Sequence, residues 1–348
     1  MTTIFILAIL LLGFLITFQI AKASEYVAVL KGEKKTFEQN NRINGFLLLI
    51  FLVLGMAGVY WCNELYKGKI LGEAASDHGV DIDRMLYISI TITGIVFVLT
   101  QVLLFWFAYK YQYSEKRKAF YFPHNNKLEL VWTVVPAIFL TVLVGFGLFY
   151  WYKITGDAPA NATVVEVTGK QFGWYYRYPG KDGVFGKKYY KNISDAKDNS
   201  LGLIWDDKAA QDDIVRDDKL MLVVNKPVKL VINSRDVIHD VGLVHFRMKM
   251  DAVPGTPTTM WFTPRFTTKE MKEKTGNPNF VYEISCDQMC GKGHYSMRGV
   301  VEVVSQAEYD AYMIKQEPKY KTAVLDKLKE AAPAADTTAK AIAAVEKN

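Results

Sequence analysis

The 348 residues carry a formal net charge of +6, and 50% of them are hydrophobic. The charge does not indicate a nucleic-acid-binding protein, because residues 153–317 contain 23 basic and 22 acidic side chains and so lack a basic surface for phosphates. The three cysteines exclude a disulfide framework, and the lack of a Cys-x-x-Cys-His motif excludes a covalently attached c-type haem.

Four uncharged apolar stretches predict transmembrane helices at 4–20, 43–61, 88–107 and 130–150, within an anchor of residues 1–152. The loops at 21–42 and 108–129 each carry five basic residues, whereas the loop at 62–87 carries three. Basic loops remain in the cytoplasm. We therefore expect an integral membrane protein of a bacterial-type cytoplasmic membrane, in contact with lipid, whose C-terminal domain lies on the outer, periplasmic side.

A secretory signal peptide is the alternative interpretation of residues 4–20, because the Ala-Lys-Ala at 21–23 resembles a cleavage site. The three residues before this stretch carry no basic side chain. Cleavage would also leave three helices and place the C-terminal domain inside the cell, against the charge pattern of the loops. We therefore expect the first helix to be retained.

Residues 153–317 contain short alternating or apolar runs divided by turn residues, for example at 163–168, 228–232 and 299–304. This pattern is typical of an antiparallel β-sandwich or a small barrel. Residues 179–218 lack it and are rich in Gly, Lys and Asp, which predicts a long loop or insertion. Residues 318–348 are rich in Ala and Lys and are predicted to form a mobile tail.

The strongest chemical signal is the sequence CDQMCGKGHYSM at 286–297. It places two thiols, an imidazole and a thioether within twelve residues, from Cys286, Cys290, His294 and Met297. Soft sulfur ligands with imidazole suit copper and also zinc. Two cysteines four residues apart in a tight loop can bring their sulfurs to one point, where both could bridge a pair of metal ions.

Each ion of such a pair would need a nitrogen ligand. His294 supplies one, and His239, which follows the apolar run at 228–232, is the candidate for the other. Met297 and the backbone carbonyl of Gln288 offer weak axial ligands. A disulfide, a zinc site and a mononuclear copper site are the alternatives. The disulfide leaves His294 and Met297 without a role, methionine is a poor zinc ligand, and a mononuclear site leaves one cysteine unused.

Four separated motifs between residues 85 and 305 resemble cytochrome c oxidase subunit II. They are ELVWTVVP at 129–136, GKQFGWYY at 169–176, DVIH at 236–239 followed by KMDAVPG at 249–255, and the cysteine loop itself. The resemblance implies N-terminal transmembrane helices followed by a cupredoxin-like Greek-key β-barrel, a membrane-anchored α plus all-β class. That family usually has two anchor helices, so the first two helices predicted here are additional.

The resemblance also implies a dinuclear copper centre, CuA. Cys286 and Cys290 would bridge both ions, with His239 and Met297 on one copper and His294 and the Gln288 carbonyl on the other. The implied function is to accept electrons from cytochrome c, as part of a proton-pumping terminal oxidase. The implied partners are the other oxidase subunits, above all subunit I, which carries the haems and reduces O2 to water. A membrane-tethered copper-delivery protein or a mononuclear cupredoxin electron carrier is the alternative function.

Five further residues take roles by the resemblance. Glu129 would open a proton path shared with subunit I, against the alternative of an interfacial carboxylate. Phe172 stands where the family has Trp and would receive the electron. Trp174 would point the same way and share this role if Phe172–Trp174 is a regular strand. Asp236 and Asp251 would contact the ligand residues and help to hold them in position.

Gln288 stands where many members have a Glu that helps to bind magnesium against subunit I, and Gln is a weaker magnesium ligand.

A separate acidic cluster is either a solvated loop or a docking surface for a basic cytochrome c. Its members are Asp206, Asp207, Asp212, Asp213, Asp217 and Asp218.

Overall fold

The computed structural model describes residues 2–69, 72–114 and 116–331. Four long helices come first: α1 (Thr2–Lys31), α2 (Glu33–Tyr66), α3 (Asp77–Lys110) and α4 (Asn126–Thr155). By length and composition, each can cross a membrane. The predicted four-helix anchor is therefore confirmed. Each helix continues beyond its apolar run, because polar residues can extend a helix outside the hydrocarbon layer.

The chain divides into two compact units, one of Met1–Ile70 with Tyr87–Thr141 and one of Leu71–Leu86 with Val142–Asn348. In the first unit α1 packs against α2, where the side-chain amide of Asn40 donates to the Ser24 hydroxyl at 3.1 Å. The rings of Phe51 and Phe105 link α2 to α3, with centroids 5.6 Å apart.

The second unit is a sandwich of two five-stranded sheets, which confirms the predicted all-β class of the C-terminal domain. One sheet has the order β3-β2-β1-β5-β8 and the other β4-β10-β9-β6-β7. The strands are β1 (Thr163–Lys170), β2 (Gly173–Tyr178), β3 (Ile214–Arg216), β4 (Lys219–Val223), β5 (Val228–Ser234), β6 (His239–Leu243), β7 (Met248–Ala252), β8 (Thr258–Phe262), β9 (Tyr282–Cys286) and β10 (Arg298–Val304).

The core lies between the sheets and includes the fully buried Leu230, Tyr282 and Ile284. The pairs β1–β5 and β4–β10 are parallel, whereas we expected only antiparallel pairs. Parallel neighbours need long connections. The connection from β1 to β5 contains the insertion between β2 and β3. The connection from β4 to β10 contains the strands β5 to β9.

Three short helices complete the second unit: α5 (Thr268–Thr275) lies between β8 and β9, and α6 (Gln306–Ile314) and α7 (Asp326–Ala331) follow β10. Of the tail predicted at 318–348, residues 332–348 lie outside the described residues. Within its described part, the Lys319 ammonium pairs with the Asp198 carboxylate at 2.7 Å and Ala323 is buried.

The insertion at 179–218 is fixed to the first sheet by a buried charge network. Arg177 on β2 pairs with Glu166 on β1 and, at 3.0 Å, with Asp213 just before β3. Lys188 in the insertion pairs with the same Glu166, and Asn233 on β5 donates to it at 2.7 Å. Burial raises the pKa of Asp213 to about 6. The insertion is therefore an ordered part of the domain around this network.

The segment before α3 is hydrogen-bonded to the β-sandwich. The Ala75 N–H donates to the His245 carbonyl at 2.8 Å, and the Arg265 N–H donates to the Ala75 carbonyl at 2.8 Å. The Ser76 hydroxyl donates to the Phe246 carbonyl at 2.6 Å. This segment therefore adds a short strand-like edge to the second unit.

Candidate metal centre

The residues of the cysteine loop and His239 meet at one end of the second sheet. His239 begins β6, Cys286 ends β9, and Met297 directly precedes β10. Since β6 and β10 both run antiparallel to β9, the start of β6, the end of β9 and the start of β10 lie side by side. Strand order thus brings together residues that are far apart in the chain.

The two cysteine sulfurs lie 3.7 Å apart, and each has its own histidine. The Cys286 sulfur is 3.8 Å from His239 Nδ1, and the Cys290 sulfur is 3.7 Å from His294 Nδ1. Ligand atoms bound about 2.0–2.3 Å from one metal ion lie roughly 3–4 Å from each other. The spacing of these four atoms is therefore that of a ligand set, and both cysteines are free thiols.

Two weaker donors border the sulfurs. The Met297 thioether lies 3.8 Å from the Cys290 sulfur, and the Gln288 carbonyl lies 3.2 Å from the Cys286 sulfur. The Cys286 N–H also donates to the Met297 carbonyl at 3.1 Å, which closes the loop at its base. All six predicted ligand residues therefore lie around the same two sulfurs.

The donor set fits soft metal ions. His239, Cys286 and Cys290 offer ligand atoms within 4.8 Å of one another, and all three residues are buried. Burial raises the pKa of the Cys290 thiol, so metal binding must release a proton that the apolar surroundings otherwise hold on the sulfur. Two thiols and two imidazoles suit either one tetrahedral zinc ion or a pair of copper ions, and the Met297 thioether beside them favours copper.

Asp236 orients His239. Its carboxylate lies 2.7 Å from His239 Nε2, which leaves the lone pair of Nδ1 directed towards Cys286. Such a carboxylate fixes the tautomer and the orientation of a ligating imidazole. Gly169 leaves the room that the ring needs, because a Cβ there would lie 2.8 Å from His239 Cδ2.

Gln171 was not among the predicted site residues, yet it contacts both sides of the cluster. Its side-chain amide donates to the Cys290 carbonyl at 2.6 Å, and its backbone N–H donates to the Asp236 carboxylate at 2.8 Å. The first contact spans 119 residues of sequence, so only its place in the GKQFGWYY motif could have marked it. Gln171 therefore connects the cysteine loop to the carboxylate that holds His239.

Phe172 and Trp174 do not share one face of a regular strand, so the condition for pairing them is not met. β1 ends at Lys170 and β2 begins at Gly173, which leaves Phe172 in the intervening turn. Phe172 is 42% exposed, and a Cβ on Gly293 would lie 2.5 Å from its ring. Trp174 is 3% exposed, and its ring centroid lies 6.2 Å from that of His239. Phe172 is thus the surface ring and Trp174 the interior one.

Asp251 lies away from the cluster. The register of β6 and β7 places Ala252 opposite His239 and Asp251 opposite Asp240. Because side chains alternate along a strand, Asp251 and Asp240 lie on the other sheet face, so Asp251 does not support His239. Asp240, which the motifs did not single out, is buried, and that burial raises its pKa.

Glu129 lies in the other unit, in the first turn of α4. Its carboxylate accepts from the Asn125 N–H at 3.3 Å, while the Asn125 side chain accepts from the Leu128 N–H at 3.1 Å. Both contacts satisfy donors that a helix N-terminus leaves free. The carboxylate therefore has a local structural role at this helix end.

The sequence matches known proteins over both units. Residues 163–304 match the family described as cytochrome c oxidase subunit II, periplasmic domain, and residues 68–149 match its transmembrane domain. The second match covers α3 and most of α4, and α1 and α2 lie outside both matches. The alternative cytochrome c oxidase subunit 2 of Bradyrhizobium diazoefficiens is 36% identical over 68% of this chain and 80% of its own length.

Cytochrome c oxidase subunit 2 of Cereibacter sphaeroides is 29% identical over 65% of this chain and 73% of its own length. A solved periplasmic domain of subunit II of cytochrome oxidase from Bradyrhizobium japonicum covers 47% of this chain and 99% of that domain. Its identity is 24% and its TM-score 0.32, so the assignment rests on the sequence matches. The chain belongs to the cytochrome c oxidase subunit II family and is a membrane-anchored subunit of a haem–copper oxidase.

Proposed function

We propose that the chain accepts electrons from cytochrome c at a dinuclear copper centre and passes them to a haem of subunit I, where O2 is reduced to water in a proton-pumping oxidase. The observation that carries the proposal is the pair of free cysteine sulfurs 3.7 Å apart, each beside its own histidine nitrogen. Membership of the subunit II family supports the same role.

Each ligand residue would contribute a different donor atom to the metal pair. Cys286 and Cys290 would provide the sulfur ligands, and His239 and His294 would provide the nitrogen ligands. Met297 and the Gln288 carbonyl, which border the two sulfurs, would add weaker donors. When bound, the copper pair supplies a one-electron carrier whose charge is shared over two ions and two sulfurs.

The fold holds these ligand residues in fixed positions and shields them from water. Cys286 and His239 are fixed by the pairing of β9 with β6, and Met297 is buried at the start of β10. Ligands that do not move when the charge changes require little reorganisation, which favours rapid electron transfer. Trp174 covers the His239 side of the cluster and excludes water there.

Phe172 is the proposed point where the electron reaches the protein. Its ring lies over Gly291 and Gly293 of the cysteine loop, and part of it faces solvent. A donor that touches this ring would be one side chain away from the loop that carries Cys290 and His294.

On the membrane side, we assign Glu129 to a proton path shared with subunit I, in addition to its contact at the α4 N-terminus. The exposed Gln288 side chain is an amide where magnesium would prefer a carboxylate, so we expect magnesium to bind weakly at this position.

The full chain in detergent, loaded with copper, tests the central proposal. We expect two copper ions per chain and an electron paramagnetic resonance spectrum in which one unpaired electron couples equally to two copper nuclei. Cys290→Ser should abolish that coupling, because one bridge is lost. One copper per chain with single-nucleus coupling would instead identify a mononuclear carrier or a copper-delivery protein.

A further inference from the structure

An apolar cavity opens in the second unit, where α3 and α4 approach the β-sandwich. Its volume is about 350 Å³, and its walls come from the start of α3, the end of α4 and the strands β7 and β8. The described lining residues include none of the candidate metal ligands, so the cavity is a separate site. The apolar part of the lining includes Met85, Trp151, Ile154, Met248, Met250 and Met260.

Three contacts hold these walls together. The Lys153 ammonium on α4 pairs with the Asp81 carboxylate on α3 at 2.6 Å. Arg247, directly before β7, pairs with Asp83 on α3 at 2.9 Å. The indole N–H of Trp261 on β8 donates to the backbone carbonyl directly after α4 at 3.0 Å. The cavity is therefore a feature of the fold, bounded by elements that are bonded to one another.

The lining suits a flexible hydrocarbon chain. Four of the 11 methionines of the protein line the cavity. Methionine has an unbranched, adaptable side chain and is common at binding surfaces that accept irregular apolar shapes. Ile154 and Met250 also pack against the core of the sandwich, so the cavity reaches from the surface to that core. Removing such apolar surface from water is favourable, so an apolar occupant stabilises it.

The cavity begins within the membrane-spanning part of α4. Gly147 lies inside the apolar run at 130–150, whereas Trp151 lies just beyond it. On α3, Met85 directly precedes the region of the apolar run at 88–107. A tryptophan at the end of such a run is typical of the boundary between lipid and water. The lining is therefore continuous with the membrane-spanning surfaces of α3 and α4, at the level of the lipid headgroups.

The charged residues among the described lining are Arg247 and Lys249, and both are basic. Arg247 is paired with Asp83, which leaves the exposed Lys249 as the cation at the mouth of the cavity. Asp251 is also exposed and lies on the same face of β7, because side chains two residues apart on a strand share a face. That carboxylate keeps its charge, so this part of the surface carries both signs. It suits a zwitterionic headgroup whose phosphate meets Lys249.

We propose that this cavity holds one acyl chain of a phospholipid from the outer leaflet, with the headgroup phosphate at Lys249. Burial of the chain against Met85, Trp151 and Met260 supplies the binding, and Lys249 sets the position of the headgroup. The bound lipid fills the space between the ends of the helices and the β-sandwich. The inference is independent of the proposed electron transfer, because no residue of the metal centre takes part in it.

The intact oxidase in phosphatidylethanolamine vesicles tests the proposal. The probe is phosphatidylethanolamine with a photoreactive diazirine in one acyl chain, and peptide mass spectrometry locates its adducts after illumination. We expect adducts on Met248 or Met250 in addition to those on α3 and α4. Strand β7 belongs to the β-sandwich outside the hydrocarbon layer, so lipid around the helices does not label it. Adducts confined to the helices would overturn the proposal.

The isolated full-length chain distinguishes a lipid from a second subunit as the occupant. Adducts on β7 should form in the isolated chain and in the intact oxidase alike. If they form in the isolated chain and disappear in the oxidase, another subunit fills the cavity and the proposal fails.

Cavity-filling variants locate the site. Gly147→Leu fills the cavity from α4, since Gly147 lines it and a Cβ there would meet no atom within 4 Å. Labelling of β7 should fall about tenfold, because the added side chain and an acyl chain compete for the same space. Gly145→Leu is the matched control: a Cβ there also meets nothing within 4 Å, but Gly145 is not among the described lining residues.

Thr259→Leu fills the same cavity from β8 and should give the same loss of labelling, so the test does not depend on how α4 tolerates a larger residue. Normal labelling in both filling variants, or an equal loss in Gly145→Leu, would show that the lipid does not occupy this cavity.

Lys249→Gln tests the headgroup contact. It should lower β7 labelling by the phospholipid probe about two- to fivefold, the contribution of one exposed ion pair. A diacylglycerol probe with the same diazirine has no phosphate, so Lys249→Gln should not change its labelling. Lys269→Gln, at an exposed position outside the described lining, should change neither result. Full labelling of Lys249→Gln by the phospholipid probe would overturn the assignment to a phospholipid.

Discussion

The side-chain amide of Gln171 donates a hydrogen bond to the backbone carbonyl of Cys290 at 2.6 Å. The two residues belong to different loops, so this bond ties the turn between β1 and β2 to the middle of the cysteine loop. The backbone N–H of the same Gln171 holds Asp236, which in turn holds His239. One residue thus links the positions of both histidine-bearing segments.

Gln171→Ala should loosen the cysteine loop, because it leaves the Cys290 carbonyl without its donor. Loss of such a partner costs about 1–3 kcal/mol where the group is buried. We expect broader copper resonance lines and faster loss of copper during dialysis against a chelator. Gln211→Ala is the matched control, since Gln211 donates to the Trp205 carbonyl at 2.9 Å within the insertion. Equal copper loss in both variants would contradict a positioning role for Gln171.

Asp236→Asn should weaken copper binding while preserving the shape of the site. The amide cannot orient the His239 ring as the carboxylate does at 2.7 Å. Removing such a partner lowers metal affinity by about 10–100-fold. Competition with a copper chelator measures the change. Asp195→Asn removes a neighbouring carboxylate from Arg235 and should leave affinity unchanged, so a comparable loss there would indicate a general charge effect.

Phe172→Ala should slow reduction of the copper centre by a protein donor, because it removes the ring between the donor and the cysteine loop. Stopped-flow traces give this rate directly, and the copper spectrum reports whether the centre is intact. Trp174→Phe is the contrasting variant: Trp174 is interior, so the expected damage is to stability rather than to the reduction rate. A normal rate in folded Phe172→Ala protein would show that electrons enter elsewhere.

Arg177→Met should destabilise the β-domain strongly. It leaves Glu166 and Asp213 buried without their shared cation, and breaking a buried pair in this way costs about 3–5 kcal/mol. Denaturant unfolding measures the loss. Arg216→Met is the control, since its pair with Asp218 is partly exposed and should contribute less than about 1 kcal/mol. Similar losses in the two variants would mean that the network does not anchor the insertion.

Glu129→Gln should reduce oxidase turnover by at least about tenfold if the carboxylate carries protons into subunit I. The amide oxygen can still accept from the Asn125 N–H, so α4 should begin at the same place. Copper content and the rate of copper reduction by cytochrome c should remain normal. Unchanged turnover across the pH range would leave Glu129 with its helix-terminal role only.

The copper-ligand candidates were predictable because most of them are local in sequence. Cys286, Cys290, His294 and Met297 lie in one loop whose residue types already restrict the chemistry. His239 could be added because it ends a motif of its own. Gln171 could not be predicted in this way, since its contact with Cys290 depends on which loops the strand order brings together.

Two side-chain positions were set by contacts that a one-dimensional pattern does not contain. Phe172 and Trp174 have strand-like spacing, but the chain turns between β1 and β2 and separates them. Asp213 has the sequence surroundings of a solvated loop residue, but Arg177 provides a buried partner from β2. In both cases, tertiary structure decided where a residue of suitable chemistry would lie.

The strand-like segment before α3 has a practical consequence for producing the β-domain in water. A fragment that begins after α4 would lack Ala75 and Ser76, and the carbonyls of His245 and Phe246 would lose their donors. The backbone around Arg265 would become an unprotected sheet edge, a known template for aggregation. Joining residues 72–83 to the N-terminus of the fragment through a short flexible linker should restore that edge and raise the soluble yield.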